Sequence, residues 1–444
     1  MSQLGRSLLV ASYLLLCILL GGSGQGVWRN LALQLLGIAL IAWATLFPSK
    51  PDDPDDRPVF LYLLGAFAAA VVLLQLIPLP AGFWPELPGR SALAERLSLL
   101  GDELPSLPIS MAPDRSVMAL FAAIPGLALF IAVKMLRPSP AWLAAAVVLG
   151  LAASIAVGAL QVAGGAQSWA YLYPVTNSGA VGLFANRNHM GTLLLVTIPF
   201  AAALLVTTRS DRGGSKQGRV AIGVAALVLV AIGIVLNGSL AVLALALPVM
   251  AASAALVPAA IRWRKLALSL AALGIAAAIG LLAANPVGEA SRFAADTSIQ
   301  SRVGMWATTT EAIRDTMPVG TGLGTFSLIY RQYEDPALVN SEYVNHAHND
   351  YLELALELGL AGIVLMALFL GWWIIAAAKV WTSPLSTPFG RAATVASAVI
   401  LAHSVVDYPL RTSAIAAIFG VAIALIAQRL RSTPARSTRH VKLG

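Results

Sequence analysis

Asn345-His346-Ala347-His348-Asn349-Asp350-Tyr351-Leu352-Glu353 runs directly into Leu354-Ala355-Leu356-Glu357-Leu358-Gly359-Leu360-Ala361-Gly362, and the apolar run continues to about residue 378. Two of the chain's 5 histidines, an amide and the carboxylates of Asp350, Glu353 and Glu357 thus stand at the mouth of a segment long enough to cross a bilayer. A hydrocarbon core takes about 20 apolar residues in helical form. Polar chemistry at the end of a membrane helix is the pattern from which the rest is read.

Composition agrees with a membrane setting. Hydrophobic residues make up 58% of the 444 positions and charged ones 11%, far from the soluble balance. The apolar runs are long and rich in Ala, Leu, Val and Gly, whereas barrel strands would be short and alternating. The expectation is an all-α polytopic membrane protein of about twelve transmembrane helices. A net charge of +8 raises nucleic acid as a partner, but the basic residues are scattered over short loops, where they act as topology signals. Cys17 has no second cysteine to pair with, and it reads as a small buried hydrophobe.

The expected spans are 7–22, 27–47, 58–78, 116–136, 141–163, 188–208, 220–236, 240–258, 266–284, 359–378, 391–406 and 412–428. The first has no cleavage site leading into a soluble domain and is kept as a helix. One set of loops, with Arg6, Lys50, Lys134, Arg137, Arg212, Arg264, Lys379 and the basic tail 429–444, holds most of the 29 Lys and Arg. By the positive-inside rule that set is cytoplasmic, with both termini, and the long polar stretches 79–115 and 285–350 face outward. Three units follow: 1–180 with its outward loop, 181–428 with the second outward loop, and the tail. Phe83-Trp84-Pro85 in the first loop suits a membrane interface.

Three polar clusters fall on the outward side. Around His348, Asp350 and Glu353 have capping-box spacing. That predicts a short helix from Tyr351 whose N-terminal amides and dipole would favour a diphosphate. His348 supplies a group able to take a proton near neutral pH, and Asn349 either fixes its ring or binds a sugar hydroxyl. His346, two residues earlier, is a weaker substrate-binding candidate. The alternative is that His348 only completes the capping network. A zinc site lacks a nearby third ligand; Glu353 and Glu357, one turn apart on one helix face, are an acid/base pair or, as is expected here, the wet face of an interfacial helix.

The second cluster, Phe184-Ala185-Asn186-Arg187-Asn188-His189, heads the sixth span. Arg187 either clamps a phosphate bidentately or snorkels to lipid headgroups, with Asn186 and His189 beside it. The third, His403 to Arg411, lies between the last two spans. There Asp407 and Arg411 are expected either to pair weakly at the surface or to join the site. Upstream, Val303, Trp306, Ile313 and Met317 are spaced for one helical face. Gly320-Thr321-Gly322-Leu323-Gly324 reads as a flexible turn, because no strand precedes it and no P-loop lysine follows.

On these residues the chain resembles the bacterial O-antigen ligase and polymerase superfamily, the Wzy and WaaL type. The likeness rests on Phe184 to His189, on Ser301-Arg302 with Trp306, on Pro318 to Gly322, and above all on His348-Asn349 with Leu352 and Glu357 to Gly362. It spans most of 180–410. The resemblance implies a GT-C-like glycosyltransferase with short helices in its large periplasmic loop. The implied donor is a glycan on undecaprenyl diphosphate. The acceptor is a second glycan or the lipid A core, and a chain-length regulator is a possible partner. No cofactor or metal is implied. His348 and Arg302 take the catalytic roles, with Arg187 and Arg411 among the binding residues. Many members have an Arg after the Ser that opens the eighth span. Here Ser239 is followed by Leu240, so either Arg187 supplies that charge or the phosphate is gripped differently.

The chemistry follows from the leaving group. A lipid-linked diphosphate departs with its own charge, so cations must neutralise it while the acceptor hydroxyl is oriented. The rival reading, a multi-span glycan or lipid transporter, would place ionisable residues at mid-membrane in several helices. The central parts of the expected spans are nearly free of charge.

Overall fold

The structure, a computed structural model, describes residues 1–24, 26–50, 58–101, 103–175, 179–207, 216–256, 287–336 and 344–428. The expected span 266–284, the loop 51–57 and the tail 429–444 lie outside these residues. Every other expected span falls on helix, 116–136 on two helices that meet at Ala123. The helices are α1 (Gln3–Leu20), α2 (Val27–Leu46), α3 (Val59–Gln75), α4 (Ser91–Ser98), α5 (Pro113–Ala122), α6 (Ile124–Leu136), α7 (Pro140–Gly164) and α8 (Arg187–Thr207). They continue with α9 (Lys216–Asn237), α10 (Leu240–Ala254), α11 (Val287–Thr316), α12 (Phe326–Tyr333), α13 (Asp350–Thr382), α14 (Pro388–His403) and α15 (Ser413–Ile426). Among the described residues, 6 helical segments are long and apolar enough to cross a membrane, and shorter apolar helices accompany them.

Helix α8 is the axis of the bundle, buried from His189 to Leu204 without a break. It packs on α7, α9, α10 and α14, while α15 packs on α1, α6 and α14. In lipid, helices associate through close packing, which small residues at the crossing permit. At the α6–α15 crossing, a Cβ on Gly420 would stand 2.2 Å from the Gly126 carbonyl oxygen, so only glycine fits. Leu360, Ile363, Val364, Leu368, Ile374 and Ile375 of α13 are exposed, which leaves them as its lipid-facing side.

Hydrogen bonds assign the helix ends to two sides. At one end the Ser139 amide donates to Ser7 Oγ at 2.9 Å and Lys134 Nζ to the Ala427 carbonyl at 3.2 Å. At the other, the Ala185 amide meets the Gly22 carbonyl and the Ala414 amide meets that of Gly21. The basic loops at Arg6, Lys134 and Arg137 therefore share the first end. The three polar clusters share the second.

The outward loop 79–115 is a folded arm. Its base is a two-stranded ribbon, β1 (Pro78–Leu79) and β2 (Leu107–Pro108). Arg90, 2% exposed, donates to the carbonyls of Pro88, Ile109 and Gly320. Burial pulls its pKa down to about 10, against a smaller opposing pull from Tyr333. Trp84 is not at a membrane surface: it is 1% exposed, and its indole N–H donates to the Pro105 carbonyl at 2.8 Å. Phe83 beside it is exposed.

Two corrections concern the second outward stretch. One of its helices, α11, is 30 residues long, so it is not a loop of short helices alone. The glycine turn after it is docked, not loose. Helix α13 breaks at Gly359, whose φ of 61° and ψ of −142° only glycine adopts freely. The break frees backbone groups that the turn then satisfies. Thr321 and Gly322 amides donate to the carbonyls of Leu356 and Glu357, and the Leu360 amide donates to Pro318.

Candidate active site

His348 is built into the start of α13 by its neighbours. Its φ is 49°, a left-handed conformation that costs an L-residue roughly 1–2 kcal/mol. Five hydrogen bonds of its neighbours hold it there. Asn349, not Asp350, is the N-cap, its side-chain oxygen accepting from the Tyr351 and Leu352 amides at 3.0 and 3.1 Å. The Asp350 amide donates to Ser404 at 2.9 Å. Trp306 of α11 donates to the Ala347 carbonyl at 3.0 Å, and the Ala347 amide to Glu353 at 3.1 Å.

This overturns the expected anion site at the helix start. The first amides of α13 are taken by protein groups, and Asp350 and Glu353 already place negative charge in its first turn. Asn349 is spent as a cap and orients no substrate through its oxygen. The short helix expected from Tyr351 is present, as the first segment of α13, which the non-helical backbone of Gly359 separates from the long apolar segment beyond it.

The centre of the site is Asp407, fully buried. His348 Nδ1 lies 3.2 Å from its Oδ1 and His189 Nε2 3.8 Å from the same atom. Asn188 Nδ2 donates to Oδ2 at 2.6 Å, and the Tyr408 amide to Oδ1 at 2.9 Å. Burial by itself would raise the Asp407 pKa. The facing imidazoles of His189 and His348 outweigh it and hold the carboxyl well below its usual range. Asp407 is thus an anion with two imidazoles turned to it, not half of a surface pair with Arg411.

Tyr408 supplies the wall. His346 lies across its ring with centroids 4.1 Å apart, and His189 and His348 meet it edge-on at 4.9 Å each. Asn186 and Asn345 reach its hydroxyl. Burial, then the charge of Asp407, push the phenol's pKa up, so it stays protonated. His403, buried at the end of α14, hydrogen-bonds Thr192 at 2.7 Å and feels the charge of Arg302. The described histidines are therefore gathered in one place by α8, α13 and the α14–α15 turn.

Arg302 and Arg187, unlike Arg411, have no carboxylate partner among the described residues. Arg302 is half-buried on α11, one turn before Trp306, and forms no hydrogen bond or ion pair among the described residues. Arg187 opens α8 with an exposed side chain. Its backbone carbonyl accepts from Asn237 at 2.7 Å, and Asn188 accepts from Ser239 at 3.0 Å. Asn237 and Ser239 therefore adjoin the first turn of α8.

Arg411 belongs to a second cluster. Its guanidinium lies 3.1 Å from Glu357, 3.3 Å from Glu353 and 3.5 Å from Asp350. His346 Nδ1 lies 2.9 Å from Glu353. Burial works against the Arg411 charge, but the three carboxylates more than offset it and raise its pKa. Glu353 and Glu357 are 1% and 0% exposed, so neither is on a wet face. Arg411 is an internal counter-ion, not a free substrate clamp.

A helical membrane protein with imidazoles, a buried carboxylate and two unpaired arginines at one end of its bundle is defined by these features. Residues 225–367 match the family model for the O-Antigen ligase domain, Wzy_C. The match supports the resemblance to the O-antigen ligase and polymerase superfamily, and with it an enzyme of that general type acting on a glycan. It takes in Arg302, His348 and the Glu353–Glu357 pair but stops short of Arg187, His189 and Asp407. No curated protein matches the chain.

Proposed function

We propose that the chain is a glycosyltransferase of the bacterial inner membrane that transfers or polymerises a glycan carried on undecaprenyl diphosphate, at the periplasmic face. The observation that carries this reading is His348, with Nδ1 3.2 Å from the buried Asp407 anion, beside arginines that no carboxylate neutralises. An imidazole so oriented keeps its other nitrogen for a substrate, and Asp407 stabilises the imidazolium formed when it takes a proton. Arg302 and Arg187 hold the diphosphate, Arg187 taking the place of the arginine absent after Ser239.

In the reaction the acceptor hydroxyl oxygen bonds to the anomeric carbon with inversion as the bond to the diphosphate breaks. The proton passes to His348, and the arginines receive the charge of the leaving lipid diphosphate. No metal or cofactor enters these steps. The site lies at the end opposite the basic loops of Arg6, Lys134 and Arg137, which supports a periplasmic placement. The buried carboxylates and Arg411 are confined to that same end, a poor match for a transporter's mid-membrane charges.

The test is His348→Ala in a deletion strain. Glycan transfer should fall by about 10²–10⁴-fold, the range for a lost general base, with the protein still in the membrane. Unchanged long-chain glycan would refute the role. In the deletion strain itself, single-repeat products mark a polymerase. Uncapped core with accumulated lipid-linked chains marks a ligase.

A further inference from the structure

Helix α2 buries Leu33, Gly37, Leu40 and Ala44, a stripe of three- and four-residue steps facing the bundle. One turn further toward the N-terminus the same stripe reaches Arg29 and Asn30. Trp28 is 81% exposed. The helix therefore turns an indole outward and a guanidinium inward, whereas an arginine reaching for lipid headgroups belongs on the outward side.

The Arg29 guanidinium lies over the Tyr173 ring, 5.1 Å from its centroid. The ring is fixed, its hydroxyl donating to the Leu20 carbonyl at 2.9 Å. Gly26 lets it approach, since a Cβ there would stand 3.1 Å from Tyr173 Cε1. Asn30 braces the turn by donating to Ser23 at 2.8 Å and accepting from Ser413 at 3.1 Å. Arg29 itself has no acceptor among the described residues, and its Nη1 is buried and unpaired. Its charge also sits in the first turn of α2, at the positive end of the helix dipole. Stacking on an aromatic face leaves the N–H donors unused. A bound anion would satisfy the buried donor and the surplus charge together.

We propose that Arg29 and Tyr173 form a second anion subsite, which takes a phosphate or carboxylate group beside the catalytic centre. It is joined to that centre by one backbone and one side-chain hydrogen bond. Ala185 bonds to Gly22 and Ser413 to Asn30, linking the subsite to the segments that carry His189 and Asp407. An acidic group on the glycan or its acceptor and a phospholipid headgroup share the required chemistry. The assignment of the group to glycan or acceptor rests on the function proposed above; the anion site itself does not.

The test uses binding, so it can succeed or fail independently of transfer. The purified full-length protein, carrying Arg187→Gln and Arg302→Gln to silence the diphosphate grip, is placed in phosphatidylcholine nanodiscs. Its thermal midpoint is followed against glucose 1-phosphate. The midpoint should rise, and adding Arg29→Gln should weaken the apparent affinity by about tenfold, as loss of a charge-assisted pair does. An Arg29-dependent rise seen only with phosphatidylglycerol in the disc supports the site and assigns it to headgroups. Should Arg29→Gln fail to fold, Arg29→Lys keeps the charge without the planar fork and should bind several-fold more weakly. A response to neither anion, or one that these substitutions leave unchanged, overturns the proposal.

Discussion

Two ionic clusters sit side by side at one end of the bundle, and their charge balance is opposite. Around Arg411 one guanidinium faces three carboxylates from successive turns of α13, all nearly shut off from solvent. Around Asp407 a single carboxylate is met by imidazoles, with Arg302 and Arg187 left over. The first cluster uses up its cation and ties the 409–411 turn to α13. The second keeps cations in reserve. Buried ions paired on every side have little left for a substrate, while unpaired guanidinium groups near a proton acceptor are what a departing diphosphate requires. Substitutions in the first cluster should therefore cost fold, and those in the second should cost function.

The largest effect on the protein itself is expected at Arg411. Arg411→Ala leaves three carboxylates crowded without their counter-ion, and breaking a buried pair in this way costs about 3–5 kcal/mol. Unfolding of the detergent-purified variant and its level in the membrane are the measurements. A variant as stable as the parent would show that the cluster is not a lock. His348→Ala removes a partly exposed ring and leaves Asn188 and the Tyr408 amide on Asp407, so its midpoint should fall much less than that of Arg411→Ala.

Asp407 joins the two kinds of behaviour, and pH separates them. Its folded-state pKa lies well below the unfolded value, so its stabilising contribution is complete above pH ~4, the ordinary aspartate value. It is lost as pH falls through the lower folded value. Asp407→Asn should be less stable than the parent at neutral pH by about 1–3 kcal/mol, the cost of disrupting a buried hydrogen-bonded group. The gap should narrow in acid as the parent loses what the variant already lacks. The carboxylates around Arg411 titrate in both proteins and cancel in the difference. Parallel stability curves would mean that Asp407 is not held as an anion by its histidines.

The helices were legible because continuous apolar runs leave a chain in lipid few options, and the match between runs and helices follows from that constraint. His348, His189 and Arg302 were legible because polar residues at the mouths of such runs are costly unless employed. What the sequence hid was partnership. Asp407 and Arg411 are four apart, which suggests a pair, but the intervening 409–411 segment is a 3-10 turn and sends them into different clusters. Glu353 and Glu357 have helical spacing that fits a solvated face equally well. Only an arginine more than fifty positions later in the chain makes that face an interior. Nor does spacing show that Asn349 displaces Asp350 as the cap, because either residue can begin a helix. Tyr408 carried no signal at all, since its role is to be the wall that three rings share.

The smallest and most discriminating test concerns the two spare arginines. Arg302, half-buried near His403, should affect both donor binding and turnover, because a cation close to the breaking bond acts on the leaving diphosphate as well as on the bound one. Arg187 is exposed at the rim of α8, so Arg187→Gln should raise the KM for the lipid-linked donor by about tenfold, the value of one good charge-assisted contact, with kcat less changed. Arg187→Lys separates a fork from a point charge. If the two N–H groups clamp the phosphate, lysine should recover only part of the loss. If Arg187 merely draws the donor in over distance, lysine should restore it fully and the effect should fade in salt. In that case the neighbourhood of Ser239 and Arg187 would not stand in for the missing arginine, and Arg302 would be the sole direct grip on the diphosphate.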